Sequence, residues 1–207
     1  MNKLLMHTCC APCSTYVVYK LRKEGFTDLT YFWYNPNIHP YEDYKLRRDW
    51  VIKYSDMLKL PSIIVDNYGI KEFTKAVANN PEEPFRCAYC HDDKLEYTAR
   101  YAAENGYDCF TTTLLVSPYQ RHDMIKSIAE KKAKKYGVDF VYYDFREGFR
   151  IGQQWAKELR MYMQNHCGCI YSEYENLLDE EQGRALTIDQ LMKNTGVKEL
   201  TFKDLCN

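Results

Sequence analysis

Nine cysteines stand in this 207-residue chain, and seven of them fall into three tight groups far apart in sequence. The groups are Cys9-Cys10-Ala11-Pro12-Cys13, Cys87-Ala88-Tyr89-Cys90 and Cys167-Gly168-Cys169, while Cys109 and Cys206 stand alone. Adjacent and one-apart thiols make poor structural disulfides, whose Cα atoms want ~4.4–6.8 Å of separation and matched Cβ directions. They suit soft-metal ligation and thiol redox chemistry. The expectation is a fold that brings these distant stretches of backbone together around one inorganic core.

A chain of this length is one large domain, or one domain with a small appendage. Its net charge of −1 advertises no global basic field, which argues against a protein whose main task is to coat nucleic acid. A local phosphate-contact patch stays open. The 19 tyrosines suit half-buried packing, and also a surface that stacks on bases. The first residues are apolar over too short a stretch for a secretory signal, and no run approaches the ~18 apolar residues that span a bilayer. A cytoplasmic, reducing compartment and no membrane partner are expected, and there clustered thiols favour metal or catalysis over a disulfide scaffold.

Residues 4–8 read as a buried strand that delivers Cys9 and Cys10 at its carboxyl end. Pro12 suits a first helical turn, with a helix over 14–24 stopped at Gly25. Further strands are expected at 28–34, 62–66, 108–115 and 138–143, and further helices at 41–60, 71–78, 90–105, 120–136 and 152–164. Residues 79–84 are a loop leading into the second cysteine pair. This alternation predicts βαβ units: an α/β fold with a Rossmann-like parallel sheet flanked by helices. In such sheets ligands sit at the carboxyl ends of strands, where Cys9 and Cys10 fall. Residues 1–175 are expected to form the metal-binding catalytic domain, and 176–207 a helical C-terminal appendage.

Cys9, Cys10, Cys87 and Cys90 together offer four thiolates, the count for a tetrahedral zinc or a cubane iron–sulfur cluster. A zinc ribbon normally uses two C-x-x-C knuckles, and Cys9-Cys10 lacks the spacer, so a larger multi-iron object fits better. Structural zinc and unmetallated thiols stay open. Cys13 reads as a small core residue, an extra metal ligand, or the partner of Cys10 in a thioredoxin-type dithiol. Cys167 and Cys169, if bridged, would close a very small, strained and easily reduced ring, with Gly168 supplying backbone latitude. Two thiolate ligands for a second metal ion are the alternative. His91 and His166 flank cysteines, and lone histidines are usually surface or satisfied residues. Asp92 and Asp93 read as first-turn helix carboxylates. The basic run from Arg121 and His122 through Lys126, Lys131, Lys132, Lys134 and Lys135 is a solvated helix face or a phosphate-contact surface.

Beyond spacing, the run His7-Thr8-Cys9-Cys10-Ala11-Pro12-Cys13-Ser14 is followed by Phe32-Trp33-Tyr34-Asn35-Pro36, Cys87-x-x-Cys90 and TTTLLVSPY at 111–119. Asp144-Phe145-Arg146-x-Gly148-Phe149-Arg150 and Cys167-Gly168-Cys169 complete the set. In order and spacing this resembles the QueH family of epoxyqueuosine reductases over about residues 3–175. The resemblance implies an adenine-nucleotide alpha-hydrolase-like fold and the last step to queuosine at the wobble position of tRNA. It implies a [4Fe-4S] cluster on Cys9, Cys10, Cys87 and Cys90, with Cys167 and Cys169 as a redox-active catalytic pair. The partners would be tRNA carrying epoxyqueuosine and an external electron donor of the ferredoxin or flavodoxin kind. One local departure stands out: His91 and Lys94 occupy positions where a tyrosine and an arginine are expected.

Deoxygenating an epoxide to an alkene needs two electrons and two protons and releases water. A cubane cluster passes one electron at a time, so a dithiol, or a second iron on spare thiolates, would complete the count. Tyr34 and Tyr119 are candidate proton donors. The rival from another class is a zinc-binding, non-catalytic RNA-binding or adaptor protein. A phosphate-loop nucleotide enzyme is disfavoured, because cysteines and proline follow the first strand where a glycine- and serine-rich turn would cradle phosphate.

Overall fold

The computed structural model describes residues 2–181. In chain order the elements are β1 (Leu4–His7), α1 (Ala11–Lys23), β2 (Leu29–Trp33), α2 (Tyr41–Met57), β3 (Ser62–Ile64), α3 (Ile70–Val77) and α4 (Phe85–Glu104). There follow β4 (Cys109–Thr112), a 3-10 turn (Thr113–Val116), α5 (His122–Tyr136), β5 (Asp139–Phe140), a second 3-10 turn (Phe145–Gly148), α6 (Phe149–Glu158) and α7 (Ile170–Glu181). Every residue of β1, β2 and β4 is buried, as a parallel sheet covered by helices on both faces requires.

The five strands run parallel in the order β3-β2-β1-β4-β5. Strand order reverses between β1 and β4, which places a crevice at their carboxyl ends. In register, His7 at the end of β1 lies opposite Phe32 on one side and Thr112 on the other. The chain therefore leaves β1 at the switch point, and the next residues are Thr8, Cys9 and Cys10. α1 packs on α6, and α4 on α5. Tyr16 and Tyr19 of α1 meet Trp155 of α6 at ring-centroid distances of 6.4 and 5.6 Å. Trp155 is fully buried, a burial worth roughly 2–3 kcal/mol or more from apolar area alone.

The expected α/β architecture holds, and four elements differ in extent. α4 begins at Phe85, five residues before its expected start, so Cys87 and Cys90 both lie in its first two turns. Arg86 fixes that start: its buried guanidinium donates to Pro81 O (2.9 Å) and pairs with Glu83 and Glu175. Asp92 and Asp93 are then mid-helix, where Asp92 pairs with Lys132 of α5 at 2.7 Å and Asp93 accepts from the Tyr34 hydroxyl at 3.5 Å. β4 ends at Thr112, whose side chain accepts from Leu114 N (3.2 Å) and caps a 3-10 turn instead of extending the strand. β5 pairs over only two residues, because it is an edge strand that the chain leaves at once.

α6 starts at Phe149 and ends at Glu158; Arg160 adopts φ 53°, and the chain runs on without helix to the third cysteine group. α7 then carries residues 170–181, so the expected appendage from 176 begins inside a helix, and the remainder lies outside the described residues together with Cys206. Among the described residues no helix is long and apolar enough to cross a membrane.

Candidate active site

The first cysteine group occupies the turn from β1 into α1. Cys10 is the N-cap, with extended backbone, and its sulfur accepts from the Cys13 backbone N–H at 3.4 Å. The sulfurs of Cys9, Cys10 and Cys13 all lie within 4.8 Å of one another. Across the switch point, Thr113 Oγ1 accepts from Cys9 N at 3.1 Å and lies 3.3 Å from Cys9 Sγ. The Cys10 and Cys13 thiols beside it hold the Cys9 thiol well below its ordinary pKa, whereas burial pushes Cys10 up.

Cys87 and Cys90 come from the first turns of α4. Asn37 Nδ2 donates to Cys90 Sγ at 2.9 Å, and burial raises the Cys90 thiol to about 11 against the opposing charge of Lys94. The third group is pinned from α2 and the loop before it. Arg47 donates to Cys167 O (3.0 Å) and His166 O (3.2 Å), and His39 N donates to Gly168 O (2.7 Å). Gly168 has φ +141°, and a Cβ there would stand 3.2 Å from Arg47 Nη1 and 3.3 Å from Ile38 Cγ1. Only glycine meets both demands. The described cysteines are free thiols, with Cys167 exposed and Cys169 buried against Cys90, Phe73 and Val77.

Cys9, Cys13, Cys90 and Cys167, drawn from all three groups, line one cavity of about 480 Å³. Cys10, Cys87 and Cys169 do not line it. Of the two candidate proton donors, Tyr119 lines this cavity, whereas Tyr34 faces a smaller one behind Cys90. Cys109 is buried in β4, away from the thiol groups, as a core residue. The basic run on α5 is partly neutralised, since Lys132 and Lys135 pair with Glu96.

Several site residues have no signature in the sequence. Three side-chain amides donate to thiol sulfurs: Gln120 to Cys167 (3.0 Å), Gln164 to Cys10 (3.0 Å), and Asn37 as described. Hydrogen bonds of this kind stabilise thiolates and tune any metal they hold. Lys94, one helical turn beyond Cys90, is only 5% exposed and lines the cavity. Burial opposes its charge, but the Cys90, Cys167 and Cys9 sulfurs outweigh that and hold it protonated. In sequence Lys94 stands out only as a departure, a lysine where the resemblance leads one to expect an arginine. The Cys9, Cys10 and Cys13 thiols could hold a metal, and the amide donors and buried ammonium near the cysteine groups fit a thiolate-bound, negatively charged group.

A parallel sheet of this order, with a thiol-lined cavity at its switch point, defines a Rossmann-like α/β protein. Solved structures agree on the fold. A predicted subunit of a tRNA methyltransferase from Methanocaldococcus jannaschii aligns at TM-score 0.52 and 14% identity, over 88% of this chain and 89% of that one. The U34-tRNA thiolase NcsA from Methanococcus maripaludis, solved with its [4Fe-4S] cluster, aligns at TM-score 0.54 and 15% identity, over 99% and 80%. At such identities the likeness carries the fold alone.

The family model for epoxyqueuosine reductase QueH matches residues 4–175. The epoxyqueuosine reductase QueH of Dehalococcoides mccartyi is 39% identical over 84% of this chain and 93% of that protein. The namesake from Thermotoga maritima is 37% identical, over 84% and 92%. The chain belongs to the QueH family of epoxyqueuosine reductases, oxidoreductases acting on tRNA.

Proposed function

We propose that this protein reduces epoxyqueuosine to queuosine at the wobble position of tRNA, in the cytoplasm. Cys9, Cys10, Cys87 and Cys90 hold a [4Fe-4S] cluster, and Cys167 with Cys169 serves as a redox-active pair. The observation that supports this reading is that Cys9, Cys90 and Cys167, one from each cysteine group, line one cavity at the switch point. Membership of the family supplies the substrate.

The reaction consumes two electrons and two protons: the epoxide C–O bonds break, a C=C bond forms, and the oxygen leaves as water. When bound, the cluster supplies electrons singly. Oxidation of the Cys167–Cys169 dithiol to a disulfide releases two electrons and two protons, which balances the reduction, and an external donor then restores the thiols. Arg47 and Gln120 hold Cys167 at the cavity, and Lys94 offsets the negative charge that thiolates bring into a buried space. Tyr119 stands at the cavity as a source of a proton for the leaving oxygen.

The tight Cys9–Cys10–Cys13 grouping favours a second arrangement of ligands, in which Cys13 also binds metal and a second iron sits beside the cluster. Iron counts on Cys13→Ala decide between the two. The function itself is tested by nucleoside analysis of tRNA from cells lacking this gene and any second reductase. Epoxyqueuosine should accumulate there. Normal queuosine would end the proposal. Iron and acid-labile sulfide in anaerobically purified protein separate this reading from a colourless zinc protein.

A further inference from the structure

His91 follows Cys90 on α4 and is only 2% exposed. It lines the 480 Å³ cavity together with Cys9, Cys90 and Lys94. Neither Nδ1 nor Nε2 has a hydrogen-bond partner among the described residues. The other histidine at this end of β1 behaves differently: His7 has Thr112 Oγ1 2.8 Å from Nδ1 and Tyr34 O 3.2 Å from Nε2. A buried imidazole with two unmet nitrogens is unfavourable, because each lost its water on folding and gained nothing. A neutral ring offers one N–H and one lone pair, on different edges. A hydroxyl suits either edge, because it can accept from the N–H or donate to the lone pair. The ammonium of Lys94 lines the same cavity, where a further positive charge would be repelled.

We infer that His91 is a substrate-binding residue that positions the nucleoside's oxygenated five-membered ring by hydrogen bonding one of its hydroxyl groups. The inference rests on the function proposed above and extends it to a recognition residue. His91 lines the cavity beside Cys9 and Cys90, so a hydroxyl held there orients the ring against the thiols. It binds ground state and transition state alike, and its loss raises KM more than it lowers kcat.

The test uses full-length protein with its metal reconstituted anaerobically, and tRNA carrying epoxyqueuosine as substrate. His91→Phe keeps a planar ring and removes both polar atoms, while His91→Gln keeps a donor and an acceptor. KM should rise roughly tenfold to a hundredfold in His91→Phe and recover most of the way in His91→Gln. Iron, sulfide and visible spectrum should match wild type in both. Wild-type KM in His91→Phe would overturn the inference and leave the ring as packing. Loss of iron from His91→Gln, with folding intact by circular dichroism, would overturn it in favour of metal ligation. An inactive wild-type enzyme with full iron content would instead overturn the reductase reading, and this inference with it.

Discussion

Arg47 is the side chain on which the third cysteine group hangs, and Arg47→Met is the sharpest test of that. The guanidinium is 2% exposed and pairs with Asp43 at 2.6 Å, itself buried. It also supplies the two hydrogen bonds to the carbonyls of His166 and Cys167. Methionine fills much of the volume but leaves the Asp43 carboxylate with only the Tyr162 hydroxyl (2.6 Å) and His166 (3.7 Å). Breaking a buried ion pair by removing one partner costs about 3–5 kcal/mol, and the orphaned carbonyls are part of the same network, so their loss does not simply add. For a domain of this size that corresponds to a Tm lower by roughly 6–20 °C. Thermal unfolding of wild type, Arg47→Met and the double variant Asp43→Asn/Arg47→Met measures it under anaerobic conditions. The double variant should recover a sizeable part of the loss, because no charge is left stranded. A drop of less than about 3 °C in Arg47→Met, or a double variant no better than the single, would refute the reasoning.

Alanine at Cys9, Cys10, Cys87 or Cys90 should bleach the brown absorbance and abolish reduction, whereas Cys167→Ala should keep the colour and lose turnover; full colour and activity in Cys87→Ala would remove it from the ligand set. Gly148→Ala should destabilise the fold by at least ~2 kcal/mol, since the added Cβ would lie 2.0 Å from the Tyr16 ring; an unchanged Tm would show that this ring moves freely. His39 has no exposed surface, lies against Tyr68 and Phe73, and is depressed from 6.5 to about 4 by burial and by Lys94. Above pH 6.5 it is neutral folded and unfolded; below that the unfolded chain takes up the proton first, so stability falls as pH drops towards 4. The His39 share is roughly 2 kcal/mol at pH 5, and His39→Gln should remove it; a variant with the full wild-type acid sensitivity would exclude His39 as its source.

The parts of the fold that were legible in the sequence are those where one local signal decides the outcome. Residues 4–7 are an apolar run that only a fully buried strand explains, and Pro12 then starts a helix, so local signals alone place the Cys9-Cys10 turn between them. The backbone latitude expected of Gly168 was also legible, and its φ of +141° uses it. The misplaced boundaries lie where tertiary contacts override local preference. α4 starts early because Arg86 is tied to Glu83 and Glu175, the latter 89 residues away, which no window of sequence can show. α6 looked helical to 164, yet the chain turns at Arg160 and carries Gln164 towards the sulfurs of Cys10 and Cys13.

The same distinction separates the sulfurs from the residues that govern them. A cysteine group announces itself by spacing, but Asn37, Arg47, Lys94, Gln120 and Gln164 are ordinary polar residues in sequence and acquire their roles only by what they touch. Thiolates packed into a low-dielectric space repel one another, and such a site persists only if donors and cations are gathered around it. Three amide nitrogens at 2.9–3.0 Å and one buried ammonium do this here, each from a different segment of the chain. The cysteine spacing therefore marks where the thiols gather, and the surrounding polar shell decides how strongly each sulfur holds its proton. A relative with the same seven thiols but a different shell would hold those thiols at different pKa values.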